Sequence, residues 1–122
     1  IGVHGSGLTH AMWMKPSSDS SPTALFEFLP YRYTCRLWYK QMCETFGIQY
    51  YAIHTLSLNQ SRWEPGHNST KVQRCQNEAG ECERGRCHDF LRDQSIIADI
   101  GQYKEVTKGF FEQLKKAYEM VK

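Results

Sequence analysis

The chain opens on Ile1-Gly2-Val3-His4-Gly5-Ser6-Gly7-Leu8-Thr9-His10-Ala11: a short β-branched stretch, a histidine, and a serine set between glycines. These residue types in this order suit an anion. A strand that enters a tight glycine turn and then a helix N-terminus leaves backbone N–H groups without intrachain acceptors, at the positive end of the helix dipole. Gly5 and Gly7 can adopt φ > 0 and let a diphosphate approach the main chain closely. His4 adjoins this cradle, where an imidazole donor can hold a phosphate oxygen and offset the charge growing on a departing phosphate. His10, one helical turn further on, points either at the same site or into packing. Ser6 and Thr9 offer hydroxyls to a ligand or cap the helix. The motif is neither of the familiar ones: the third glycine of a dinucleotide fingerprint falls on His10, and no Gly-Lys-Ser/Thr follows.

The elements that must position these residues alternate. Ile1 to His4 reads as a strand and Leu8 to Met14 as a short helix. After a serine-rich loop over 17–21, Ala24 to Leu29 reads as a strand with apolar residues throughout, as in a sheet covered on both faces. A helix is expected from Thr34 to Phe46, with Trp38, Met42 and Phe46 along one face and Gly47 as its C-terminal cap. Ile48 to His54 is strand-like, and a long polar loop follows. Ile96 to Ile100 forms a short strand or leads into a last helix, which carries Tyr103, Val106, Phe110, Leu114, Tyr118 and Val121 at helical spacing. The aromatic residues Tyr31, Tyr33, Trp38, Tyr39, Tyr50 and Tyr51 are assigned to core and interface. The succession is that of a parallel α/β layer, whose ligands sit at the C-terminal strand ends. His4 to Gly7 and Glu27 to Pro30 would lie there. A carboxylate at the end of an apolar strand must be solvated or paired. Glu27 would accept both hydroxyls of a ribose, or pair with Arg32 or Arg36.

The segments Val3-His4-Gly5-Ser6-Gly7-Leu8-Thr9-His10 and Leu25-Phe26-Glu27-Phe28-Leu29-Pro30, joined by a loop containing Pro16, resemble the C-terminal region of the family-61 glycosyltransferases. That family includes EGF-domain-specific O-linked N-acetylglucosamine transferases and plant xylan xylosyl- and arabinosyltransferases. Its pattern is roughly V-G-x-H-G-A-G-L-T-H, a loop, then a hydrophobic strand ending in E-L/F-x-P; Ser6 stands here in place of the usual alanine. Arg92-Asp93-Gln94-Ser95-Ile96-Ile97-Ala98-Asp99-Ile100 is similar to the family's closing segment, while 55–88 matches none of the pattern. The resemblance implies a Rossmann-like parallel sheet with flanking helices, the C-terminal half of a two-domain GT-B glycosyltransferase, with residues 1–122 as its nucleotide-sugar-binding domain. It implies inverting transfer of N-acetylglucosamine or a pentose from a UDP-sugar to a protein or polysaccharide hydroxyl, with neither a cofactor nor a divalent metal. His4, Gly5, Ser6, Gly7, Leu8, Thr9, His10 and Glu27 would grip the UDP moiety. The catalytic base would come from an N-terminal acceptor domain, so the chain is expected to be a fragment that binds UDP weakly and transfers nothing alone.

Composition bounds the rest. With 122 residues, 40% of them hydrophobic and 23% charged, the chain is long enough for a single buried core. A net charge of +2 is too mild to argue for nucleic acid. No run is apolar enough to span a bilayer, so any membrane anchor is expected outside this chain. The 5 cysteines, with the sequons at Asn59 and Asn68, favour an oxidising secretory lumen, Golgi or endoplasmic reticulum, with both asparagines as glycosylation sites. Cys35 and Cys43, on one helix and ~12 Å apart by helical rise, cannot bond each other and would need partners among Cys75, Cys82 and Cys87 or elsewhere. Zinc at Cys75, Cys82, Cys87 and His88 is disfavoured, for no C-x-x-C knuckle is present. Two other readings compete: a secreted, disulfide-stapled binding module without catalysis, and a cytosolic phosphate binder with reduced thiols.

Overall fold

The run Ala24-Leu-Phe-Glu-Phe-Leu29 forms the middle strand of a sheet, because its side chains are apolar on both faces and both faces are covered. In the computed structural model, which describes residues 1–33, 37–62, 70, 74, 75, 87, 92 and 94–120, this strand (β2, Ala24–Leu29) lies between β1 (Gly2–Val3) and β3 (Gln49–His54). The order is β1-β2-β3 and both pairings are parallel, with Gly2 opposite Glu27, Leu25 opposite Tyr50 and Glu27 opposite Ala52. Parallel neighbours need crossovers. Here they are a 3-10 helix over Ser6–Trp13 and helix α1 over Trp38–Phe46.

Register and the two-residue strand period divide the side chains between faces. One face presents Leu25 and Tyr50 to the 3-10 helix and α1, where Leu8, Ala11, Tyr39, Cys43 and Ile48 complete a buried cluster. The other presents Phe26, Phe28, Tyr51 and Ile53 to Phe110, Tyr103 and Val106 of α2, a helix over Ile100–Met120. Rings interlock there: Phe26 stacks on Tyr51 at 4.8 Å, and Phe110 meets Phe26 edge-on at 5.4 Å. The molecule is a layered α/β structure around a small parallel sheet.

Local chemistry fixes the ends of the elements. Gly47 closes α1 in the left-handed region at φ 66, and its N–H bonds the carbonyls of Cys43 and Glu44. A Cβ there would meet Pro16 Cβ at 3.3 Å, and Ser17 donates to the Gly47 carbonyl at 2.7 Å. At Gly2 the constraint is different: a Cβ would stand 2.6 Å from Leu8 Cδ2, so the end of the leucine side chain would have to shift. Asp99 caps α2, its Oδ1 accepting from Gln102 N at 2.8 Å.

Several expectations need correction. The first crossover is a 3-10 helix beginning at Ser6, not an α-helix from Leu8; its three-residue repeat puts Leu8 and Ala11 on one line against the core. On α1 the buried positions are Tyr39 and Cys43, while Trp38 is 52% exposed and Phe46 is exposed. The small Cys43 thiol, not the bulky stripe, lets the helix approach the sheet. The α2 stripe holds through Tyr103, Val106 and Phe110, but Leu114 and Tyr118 are exposed and Ala117 is buried instead. A 21-residue helix is about 31 Å long and a six-residue strand about 20 Å, so the last turns outrun the sheet. Cys43 is a free, buried thiol, and Cys75 pairs with Cys87. Thr34, Cys35, Arg36, Asn68, Cys82, His88 and Val121 lie outside the described residues.

Candidate functional site

The chain leaves β1 at Val3 and turns at the C-terminal edge of the sheet, where His4 N still donates to the Phe28 carbonyl at 2.9 Å. That bond fixes the histidine backbone as an extension of the ladder. The 3-10 helix then starts at once, with Leu8 N bonding back to Gly5 O at 3.0 Å. Ser6 and Gly7 occupy its first turn, where N–H groups have no intrahelical acceptor. Tyr39 reaches over from α1 and its hydroxyl donates to Gly5 O at 2.5 Å, tying the turn to the neighbouring crossover.

The turn borders a cleft of about 390 Å³, lined by His4, Gly5, Ser6, Trp38, Tyr39 and Arg92. Arg92 comes from a distant part of the chain, and the reason is visible in the return path. Strands β4 (Ser61–Arg62) and β5 (Ser95–Ile96) pair antiparallel, while Ser61 Oγ accepts from Tyr31 N and Gln94 Nε2 donates to Tyr31 O. These bonds dock the returning segment just past the end of β2. Trp38, at the first residue of α1, presents an indole to the same cleft.

Behind the cleft wall stands a buried polar cluster. His4 Nδ1 and Glu27 Oε1 form a short contact, and the Tyr50 hydroxyl donates to Glu27 Oε2 at 2.5 Å. Glu27 is 0% exposed and the His4 side chain 3%. The His4 ring lies 4.6 Å from Tyr33 and 5.3 Å, edge-on, from Tyr39. The carboxylate imprints itself on its neighbours. Burial, then the hydrogen bond to Glu27 and its charge, drives Tyr50 far upward. Burial and the same charge raise Tyr39, and with Glu44 they push the Cys43 thiol up to about 11.

The predicted residues separate accordingly. His4, Gly5 and Ser6 reach the cleft. Gly7 follows in the first helical turn, Leu8 is buried in the core, and His10 is exposed on the helix without lining the cleft. Thr9 turns its hydroxyl back to Ser6 O at 2.6 Å, and no side chain caps the helix start. The left-handed conformation open to Gly5 and Gly7 is not used. Gly5 is extended (φ 166, ψ 167), and among the described glycines only Gly47 lies in the left-handed region. The reversal is made by launching the 3-10 helix from an extended residue, so neither glycine is needed for its dihedrals.

Glu27 is corrected most. It does not stand free at the strand end for a ribose, nor does it pair with Arg32. Both of its oxygens are taken inside the protein, because the same-face register of β1, β2 and β3 sets His4 and Tyr50 beside it. Sequence reasoning missed Trp38, Tyr39 and Arg92 as cleft residues; for Arg92 no local signal exists, since tertiary pairing brings it in. Asn59 is exposed beside β4. Among the described residues no cluster of ligating side chains could hold a metal, and the Cys75–Cys87 bond engages half of the zinc set considered above. Among the same residues no helix is long and apolar enough to cross a membrane. No protein-family model, curated protein or solved structure matches the chain.

Proposed function

We propose that the cleft beside β1 binds the diphosphate of a UDP-sugar, and that the chain is the donor-binding part of an inverting GT-B glycosyltransferase. The carrying observation is that the His4-Gly5-Ser6 turn borders a cleft at the C-terminal end of a parallel sheet, and that Arg92 lines the same cleft. The amides of Ser6 and Gly7, the His4 ring edge and the Arg92 guanidinium are donors suited to phosphate oxygens. Trp38 offers a flat face for the base. A volume of about 390 Å³ lies in the range of small-molecule sites.

In the reaction an acceptor hydroxyl oxygen attacks the anomeric carbon as the bond to the diphosphate breaks, inverting the centre. UDP leaves with the electron pair, and the hydroxyl proton passes to a base on the acceptor side, outside this domain. The donors of the cleft meet the charge on departing UDP, a task divalent ions perform elsewhere. The sugar is N-acetylglucosamine or a pentose, the acceptor a protein or polysaccharide hydroxyl, and the compartment the secretory lumen, with which the Cys75–Cys87 disulfide and the exposed Asn59 are compatible.

Saturation-transfer NMR with UDP, UDP-N-acetylglucosamine and UDP-xylose tests the reading. Trp38→Ala and Arg92→Ala are the variants of choice, since removing His4 would strand a fully buried carboxylate. Each is expected to weaken UDP binding roughly tenfold. Unchanged affinity in both variants would refute the donor site and favour the second reading, a disulfide-stapled module without catalysis.

A further inference from the structure

A glutamate in the middle of a sheet, with no exposed surface, calls for a reason. Its position places it among the groups of three strands that share one face. Gly2 is opposite Glu27, so His4, two residues on, leans over the same face; Leu25 is opposite Tyr50, which puts Tyr50 diagonally across from Glu27. We propose that Glu27 and Tyr50 are positioning residues that lock the His4 ring with Nδ1–H turned into the core and Nε2 offered to the cleft.

The assignment of protons follows from donor and acceptor inventories. Burial beside the carboxylate keeps the Tyr50 phenol protonated, so it donates to Glu27 Oε2. An ionised carboxylate only accepts, and its remaining oxygen, Oε1, meets His4 Nδ1. Nδ1 therefore carries a proton. The rings of Tyr33 and Tyr39 pack against the imidazole at 4.6 and 5.3 Å, tilted by 53° and 72°, and such contacts oppose its turning over. Among the described residues Glu27 is the hydrogen-bond partner of the His4 side chain, and His4 lines the cleft; the proposal sets Nε2, across the ring from that bond, at the cleft. Which nitrogen faces a ligand decides what a histidine can do. The inference takes its ligand, a diphosphate, from the donor-site reading above, but the orientation of the ring does not depend on that reading.

Long-range ¹H–¹⁵N spectra of the histidine-labelled chain read the tautomer directly, with the His4 signals assigned by their loss in His4→Asn. In the wild type Nδ1 is expected to carry a proton. In Glu27→Gln, which keeps shape and removes charge, the amide can donate to Nδ1, and the proton is expected to move to Nε2 while UDP binding weakens roughly tenfold. Tyr50→Phe keeps the ring in the core, and it should leave the proton on Nδ1 and weaken UDP binding by less. A wild-type His4 protonated at Nε2 alone overturns the proposal, as does a folded Glu27→Gln with the original tautomer and affinity. If Glu27→Gln does not fold, the wild-type and Tyr50→Phe spectra decide. A wild type that binds no UDP refutes the donor-site reading instead, and the tautomer result then judges this proposal by itself.

Discussion

Raising the pH tests the buried carboxylate without any ligand. Cys43, Tyr39 and Tyr50 feel Glu27, and each is pushed upward, first by burial and then by Glu27, through its charge for Cys43 and Tyr39 and through its hydrogen bond and charge for Tyr50. All three are acids that are neutral when protonated. The fold therefore holds their protons past the pH at which the unfolded chain releases them. Above that point the unfolded state binds fewer protons than the native state, and stability falls as pH rises. For Cys43 the window opens near its ordinary value of 9.0 and closes at about 11. A group contributes at most ~1.4 kcal/mol per pH unit, so the thiol removes roughly 2–3 kcal/mol across that window. This is a large part of a typical domain stability of about 5–15 kcal/mol. The tyrosines, whose ordinary value is 10.0, should steepen the decline above it. Urea titrations at half-unit steps from pH 8 to pH 11 measure the curve, with refolding at pH 8 as the check that the disulfide has not exchanged. Cys43→Ala should be offset at pH 8 and flatter than wild type between pH 9 and 10. Parallel curves over that interval would refute the reasoning, since the thiol would then titrate alike in both states.

Neighbouring residues on α2 give a second contrast. Phe110, buried against Phe26 and Tyr51, should cost about 3–5 kcal/mol as Phe110→Ala, whereas Phe111→Ala, at a site 52% exposed, should stay within about 0.5 kcal/mol by denaturant titration. At the end of α1, Gly47→Ala puts a Cβ in the left-handed region and 3.3 Å from Pro16, for about 1–2 kcal/mol by the same measurement.

The elements most legible in the sequence are those decided by their own residues. Ala24–Leu29 could be read whole, because a run between prolines that is apolar at every position but Glu27 has one way to lie in a covered sheet. Gly47 could be read as a cap because the left-handed conformation selects its residue type. Positions decided by a second element were not legible. The buried face of α1 depends on how close Cys43 lets the helix come to Leu25 and Ile48. Arg92 reaches the cleft only because β5 pairs with β4, across a separation that no local spacing reveals. The His4–Glu27 contact lies between these cases. The strand period puts the two on one face once β1 and β2 are taken as parallel neighbours, but which register they adopt is a tertiary fact.

That contact also bears on why residue 27 is charged. It sits between Leu25 and Leu29, both buried, in a strand where a leucine would serve packing as well. A buried ionic pair often gives no more stability than apolar residues of the same volume, because the desolvation cost consumes the attraction. Stability is thus a poor reason for Glu27. Orientation is a better one: an apolar side chain at this position would leave the His4 Nδ1 without its acceptor and Tyr50 without its own. The carboxylate, the phenol and the flanking tyrosine rings make sense as a set only if the imidazole edge that borders the cleft has to be held in one pose.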